Sequence, residues 1–503
     1  MEKLAVIDLG SSKIDLTLAK YLPSGNYTIY EEMSENVKIV DSYDEDELLS
    51  PSRTKEAIEI LKMYRMICDV NKVTNVIAVV SSSLRNLKNY RGFLDEVYNV
   101  CGFKFRLLTP EDEMLALYSG VSTSIDCPKA VVAYVGFGAV RLVQYNRRNI
   151  LNQTLIPLGT FALSKTIAEC GDVEKAFGEM TEKFRQQLKT VEWLKAVEPE
   201  YSFIGVGSAF NNCATLSRKI KKYPLDSNHN YTVTEEDFGK VYDLVKSLQV
   251  DNARKIKGVS NDKSDIIASG LCIIRALVEE ATCDKFIVST KGLKEGYIYG
   301  SILPNGIEKS SNDMLGMSLD NINAFYDVDY NNAKQVTNLA LILFRQLKVL
   351  HKLPRGYVKV LRIAAAMHDC GKRIKYDGNE KNSFNIILNS DLLGVTHREI
   401  ILASFVCASQ NLSNFNLAEW VRYKDVLLEE DLEAVRKLAL LIRLASALDK
   451  THRNVVQDVS CDILGDSVIM KTIVTMDANI EIREAIKTCP EFKKVYKKVL
   501  EVL

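Results

Sequence analysis

The sequence predicts a two-lobed α/β region, then an all-helical region, then a small α+β tail. Three observations lead there. A strand, glycine turn, strand pattern occurs near residue 10 and again near residue 136. After Gly300 the pattern changes to long amphipathic helices, and after Val455 it alternates with the period of a strand. The expected divisions are residues 1–124, 125–300, 301–453 and 454–503.

The run Leu4-Ala-Val-Ile-Asp-Leu-Gly10 reads as a buried strand, followed by the small-residue turn Ser11-Ser12-Lys13 and a second strand over 14–21. A turn at Pro23-Ser-Gly25 leads to a third strand at Tyr27–Tyr30, completing a β-meander. The segment Ala130-Val-Val-Ala-Tyr-Val-Gly136-Phe-Gly138-Ala139 repeats the design, with strands over 140–145 and 150–156 after it. An offset of 126 positions pairs Gly10 with Gly136, Ser12 with Gly138 and Leu16 with Leu142. Either turn alone reads as an ordinary hairpin; facing each other, the two could bring backbone N–H groups to an anion from both sides. A third turn, Gly205-Val-Gly207-Ser208, precedes a helix over 209–219, whose N-terminal amides would join them.

In the second half, Asn332–Phe344 reads as an amphipathic helix, and Ile363–Lys372 as an apolar helix carrying His368-Asp369 and ending at Gly371. Asp449 closes another apolar helix, Leu441–Asp449. Residues 455–482 alternate like strands, and 490–502 read as a helix whose Lys493, Lys494, Lys497 and Lys498 form a solvated face or part of a polyanion path.

Composition narrows the function. Of 503 residues, 47% are hydrophobic and 26% charged, enough for several cores and too ordered for a disordered chain. Lys+Arg and Asp+Glu both number 65, so no overall basic excess drives DNA binding, and any polyanion site is local. The 11 cysteines lack a C-x-x-C pair and read as reduced core thiols. With no apolar run of membrane-spanning length, the expected protein is cytoplasmic and without a membrane partner.

Five stretches, in order, carry a resemblance: Ala5-Val-Ile-Asp-Leu-Gly-Ser11, Val80-Ser-Ser-Ser-Leu-Arg85-Asn86, Leu108-Thr-Pro-Glu-Asp-Glu113 with Tyr118-Ser-Gly-Val121, Gly136-Phe-Gly138, and Gly292-Leu-Lys-Glu-Gly296. Together they resemble the exopolyphosphatase and guanosine pentaphosphate phosphatase (Ppx/GppA) family. The resemblance implies an actin-like/Hsp70-like ATPase (ribonuclease H-like) fold for the two lobes. It also implies removal of the terminal phosphate from polyphosphate or pppGpp, a divalent metal such as Mg²⁺, and a homodimer. Carried over residue by residue, it makes Glu113 the general base and Arg85 a phosphate ligand. By itself, Glu113 reads as a first-turn helix carboxylate complementing the dipole. Gly10, Ser11, Ser12, Gly136, Gly138, Gly207 and Ser208 are the expected phosphate-binding turn residues.

The chain departs from the family pattern in the second turn. The family's Asp-x-Gly-Gly-Gly-Ser-x-Glu stands here as Tyr134-Val-Gly136-Phe-Gly138-Ala-Val-Arg141, so both carboxylates that help hold the metal are replaced. In the first turn the family's Asn-Ser becomes Ser12-Lys13. Mg²⁺ takes oxygen ligands in near-octahedral geometry, which a phenol and a guanidinium do not supply. Either Lys13 and Arg141 supply the metal's charge and bind phosphate, or both face solvent and the site has decayed. Asp8 is the remaining carboxylate nearest any metal.

The helical region resembles an HD-type domain, with His368, Asp369 and Asp449 as candidate metal ligands. Asn332 stands where a working HD site has a histidine, and Asn382 and Ser409 lie where others are often found, so phosphodiesterase chemistry is not expected there. A structural reading, in which His368 and Asp369 lock a helix junction, competes with it. The leading expectation is hydrolysis of the terminal phosphoanhydride between the lobes, weakened by Tyr134 and Arg141. The alternative is a non-catalytic sensor of polyphosphate or (p)ppGpp that signals through the helical region. A sugar or carboxylate kinase of the same fold is disfavoured, because the Gly205–Ser208 turn lacks the Gly-Gly that accommodates adenine.

Overall fold

The computed structural model describes residues 2–21, 27–37, 39, 48–170, 172–247, 266–302, 313–410 and 417–503. The expected Pro23-Ser-Gly25 turn lies outside them. The chain divides into two compact units, Met1–Asn312 and Asp313–Leu503.

The first unit holds two sheets. In one, β1 (Glu2–Leu9), β2 (Lys13–Tyr21), β3 (Tyr27–Asn36), β4 (Asn75–Val80) and β5 (Arg106–Leu107) lie in the order β3-β2-β1-β4-β5. β1 sits between antiparallel β2 and parallel β4. Such a central strand is covered on both faces, which is why it is a continuous apolar run rather than an alternating one. The connection to β4 is the helix Pro51–Val70, started by Pro51 and by the Ser50 hydroxyl accepting from Arg53 N.

The second sheet contains β6 (Lys129–Val135), β7 (Val140–Asn146), β8 (Asn149–Ile156), β9 (Ser202–Val206), β10 (Tyr231–Thr234) and β11 (Lys285–Ser289), ordered β10-β11-β9-β6-β7-β8. Its run β8-β7-β6-β9-β11 repeats the topology of the first sheet, an antiparallel meander continued by parallel strands. The duplication expected from the glycine turns thus extends to whole lobes.

Two helices, Pro110–Ser122 and Leu293–Ile302, pack together at nearly backbone contact. A Cβ on Gly120 would collide with the carbonyl of Gly292, and one on Gly296 with the carbonyl of Ala116. These glycines are required by proximity, not by their own dihedral angles.

The second unit is mainly helical, with longer helices at Met314–Phe325, Tyr330–Gln346, Asn379–Leu388, His397–Ala408 and Asp431–Ala447. A three-stranded sheet, β12 (Val456–Ile463), β13 (Ser467–Val474) and β14 (Val499–Val502), completes it. Three local expectations are corrected. The stretch 455–482 forms only two strands, then the helix Asn479–Ile486. The expected 490–502 helix spans Cys489–Tyr496, stops at left-handed Lys497, and gives way to β14, whose β-branched residues pair parallel to β13. Its four lysines therefore share no single helical face, and Lys498 Nζ donates to the carbonyls of Leu464 and Gly465. Finally, the helix Tyr357–Ala366 ends before His368, and Asp449 lies beyond Asp431–Ala447, so both carry their side chains on turns. Among the described residues no helix is long and apolar enough to cross a membrane.

Candidate phosphate site between two glycine turns

The β1–β2 and β6–β7 turns are closed by the same hydrogen bond at equivalent positions. Gly10 N donates to Lys13 O at 2.9 Å and Gly136 N to Ala139 O at 3.0 Å. They face each other: a Cβ on Gly138 would lie 3.5 Å from Ser11 Oγ. Gly207, at φ +100°, packs under the second turn, where a Cβ would fall 2.7 Å from Val135 O, and Ser208 begins the helix Ser208–Ile220. Small residues of two turns and the start of the Ser208–Ile220 helix therefore lie close together, a setting in which backbone amides can receive an anion.

Above each turn stands a cross-strand pair related by the same offset: Asp8 opposite Asp15 in one lobe, Tyr134 opposite Arg141 in the other. Lys13 Nζ lies 2.6 Å from Asp15 Oδ2. Burial alone would lower the Lys13 ammonium, and Asp15 more than reverses this, leaving it raised. Burial first, and then the Asp15 charge, push the Asp8 carboxyl up to about 7. Burial likewise raises the Tyr134 and Tyr297 phenols, so both remain protonated donors at neutral pH.

Glu113 sits in the first turn of the Pro110–Ser122 helix, which a reciprocal Thr109–Asp112 capping box starts. It is not solvated; its exposure is 1%. Oε1 accepts from Ser81 Oγ at 2.9 Å and Ser82 N at 3.1 Å. Oε2 accepts from Ser82 Oγ at 2.7 Å and from Arg141 Nε and Nη2 at 2.9 and 2.7 Å. Arg141, 5% exposed, points inward, so the solvent-facing account of this residue does not hold. Its charge is met by Glu113 rather than left free for a ligand. Removing one member of so well-bonded a buried pair is costly, because the other charge is left uncompensated. Lys13, in contrast, keeps about half of its side chain exposed, 49%.

Arg85 is exposed, and its hydrogen bond among the described residues goes to Leu108 O at 3.4 Å. It is not drawn into the Glu113 cluster. Residue-by-residue reading missed Ser81, Ser82, Asp15 and Tyr297. The first two lie within a stretch already singled out, and Asp15 follows from hairpin register opposite Asp8. Tyr297 carried no local signal.

The donor set does not fit a Mg²⁺ site of the family's kind. Glu113 is taken by a guanidinium, and Tyr134 and Arg141 occupy the two carboxylate positions. Among the described residues no group of three or more His, Cys, Asp or Glu side chains is placed to hold a metal.

The second unit has a polar constellation of its own. His368 is 1% exposed, its Nδ1 bonded to Ala365 O at 2.8 Å and its Nε2 3.5 Å from Asp369 Oδ2. Asp369 also pairs with Lys372 at 2.5 Å. Asp449 accepts from Asn332 Nδ2 at 2.8 Å and Asn454 N at 3.0 Å. Asn332 thus acts as a hydrogen-bond donor to the carboxylate, holding together the ends of two helices. Asn382 is half-buried, and Ser409 is buried.

Two lobes of duplicated topology with phosphate-type turns face to face define an actin-like ATPase fold, here followed by a helical region. The chain belongs to the Ppx/GppA phosphatase family, which it matches over residues 23–305, with that family's domain III matched over 316–481. It is 24% identical over 416 residues to the guanosine-5'-triphosphate,3'-diphosphate pyrophosphatase of Aeromonas hydrophila, covering 81% of this chain and 80% of that one. The enzyme of the same name from Pseudoalteromonas translucida is 25% identical over 407 residues, 78% of each chain. Among solved structures, the Ppx/GppA family member of Aquifex aeolicus superposes with a TM-score of 0.53 at 25% identity, covering 60% of this chain and 97% of that one. An exopolyphosphatase from Cytophaga hutchinsonii gives 0.55 at 19% identity, covering 61% and 100%, a likeness of fold.

Proposed function

We propose that the first unit binds the phosphate chain of inorganic polyphosphate or a guanosine polyphosphate between its two glycine turns and hydrolyses the terminal phosphoanhydride slowly. The observation that carries this is the approach of Ser11 to Gly138, which gives one anion two sets of backbone amides. Gly10, Ser11, Ser12, Gly136, Gly138, Gly207 and Ser208 bind phosphoryl oxygens, and Lys13 supplies positive charge at the mouth.

Glu113 is the base in this reading. Water attacks the terminal phosphorus, the bridging P–O bond breaks, and the water proton passes to Glu113. For that, Oε2 must be released by Arg141, which transfers its forked N–H groups to the incoming phosphoryl oxygens while Ser81 and Ser82 continue to orient the carboxylate. Exchanging one strong charge-assisted contact for another is what makes turnover slow. The loss of the family's metal-holding carboxylates adds to it, at about 10³-fold for several kcal/mol of lost stabilisation.

Release of phosphate from polyphosphate and from pppGpp, measured with and without Mg²⁺, tests the reading against Glu113→Gln. Loss of nearly all release in the variant is expected; the same background in both proteins overturns hydrolysis. The occupancy of both Glu113 oxygens favours a second reading, a sensor that binds the phosphate chain without cleaving it. Tight binding with no Glu113-dependent release is its signature. In both readings the phosphate site belongs to the two lobes proposed at residues 1–124 and 125–300, within the unit that ends at Asn312.

A further inference from the structure

Resting on the phosphate-binding reading above, we propose that Tyr134 and Tyr297 are phosphate-binding residues whose hydroxyls donate to the terminal phosphoryl oxygens, forming with the turn amides a site that works without a metal ion. Two observations support it.

The first is placement. Tyr134 occupies the position equivalent to Asp8 in the duplicated hairpin, one residue pair above the Gly136 turn. Its ring fills the space beneath two of the phosphate-type turns: a Cβ on Gly136 would be 3.0 Å from Tyr134 Cε1, and one on Gly207 3.6 Å from Cε2. The Arg141 guanidinium lies 5.6 Å from the ring centre, so the ring helps hold that side chain. Tyr297 comes from the other side, on the Leu293–Ile302 helix. Its ring packs with Leu4, Val6, Val79 and Ala116, and its hydroxyl feels the charges of Asp8, Glu113 and Arg141 as well as Tyr134.

The second is an open donor. Tyr297 is 7% exposed, yet its hydroxyl makes no hydrogen bond among the described residues, and neither does that of Tyr134. Tyr134 is half-buried, so both phenols sit at the edge of the interior with a hydroxyl left to donate. Both feel the charges of Asp8 and Arg141, and of the charged groups around them Glu113 is paired with Arg141 and Asp15 with Lys13.

The chemistry agrees with the loss of carboxylates. A metal site needs anionic oxygens facing the substrate; a phosphate site without a metal needs donors that carry no negative charge. Phenols protonated at neutral pH are such donors, and replacing a carboxylate by one removes repulsion toward an incoming phosphate. The expected ligand is the terminal –PO₃ of a linear phosphoanhydride.

Isothermal titration of the full-length protein with sodium tripolyphosphate, in EDTA and separately in Mg²⁺, tests this. Binding of similar strength in both buffers is expected, weakened about tenfold in Tyr297→Phe and in Tyr134→Phe, each of which removes only a hydroxyl. A tyrosine ultraviolet difference signal on binding should fall in each variant. Phe variants that bind as tightly as the parent with the same difference signal overturn the proposal, as does binding by the parent in Mg²⁺ alone. If the parent binds tripolyphosphate in neither buffer, the phosphate-binding reading itself fails, an outcome distinct from the other two. Unchanged thermal midpoints in the Phe variants exclude loss of fold as the cause.

Discussion

Arg141 shows how one substitution rewrites a site without dismantling it. A guanidinium at that strand position finds the neighbouring carboxylate of Glu113 and, with Ser81 and Ser82, saturates it. The sequence exposed the substitution, because the motif around it was otherwise intact, but not its partner, since Glu113 is 28 positions away on another element. Asp8 has the opposite history: its place beside Gly10 was plain, its electrostatic cost was not. An unfolded aspartate titrates near 3.8 and the folded one at about 7. Between these values the folded chain keeps a proton that the unfolded chain has lost, so this group's contribution is fully present below the lower value and is lost as pH rises through the upper one. Asp8→Asn should therefore raise the thermal midpoint at pH 8, by about 3 °C, and leave it nearly unchanged at pH 4. An equal shift at both values would show that Asp8 is not held neutral by the fold.

Strands and turns were the most readable elements, because the apolar runs end at glycines and their register repeats after 126 positions. Helix ends were less so. Ile363–Gly371 has the composition of one continuous helix, yet it breaks at Ala366 so that His368 and Asp369 meet other groups. Four lysines at helical spacing predict a helix over 490–502, but a neighbouring strand claims the β-branched Val499 and Val502. The physical reason for the Gly292–Gly296 stretch is its close crossing with Pro110–Ser122. Gly296→Ala places a methyl group against the Ala116 carbonyl and should cost about 1–3 kcal/mol in urea unfolding. Because that crossing holds the helix bearing Glu113, phosphate binding should weaken with it. A variant as stable as the parent would mean the helices separate without penalty.

Across the molecule, the chain forms two compact units, and within the first each lobe has an apolar core of its own. Calorimetry of the whole chain should resolve more than one transition. Tripolyphosphate at about 100 times its dissociation constant should stabilise only the transition of the first unit, by about 2.7 kcal/mol. Movement of every transition together would indicate that ligand binding is felt by the whole chain as one cooperative body.

The amino-acid order alone determined the duplicated lobes, the glycine turns and the loss of the two carboxylates, since each is written in local pattern: apolar runs, small residues at a turn, a changed letter within a motif. Which groups meet was decided only by folding. Glu113 with Arg141 and Asp8 with Asp15 are brought together by strand register and helix packing, Tyr297 is carried to where it feels the charges of Asp8 and Glu113, and the protonation of Asp8 depends on the burial that follows. Contacts between distant segments and the dielectric around them are properties of the assembled fold, which no short stretch of chain contains.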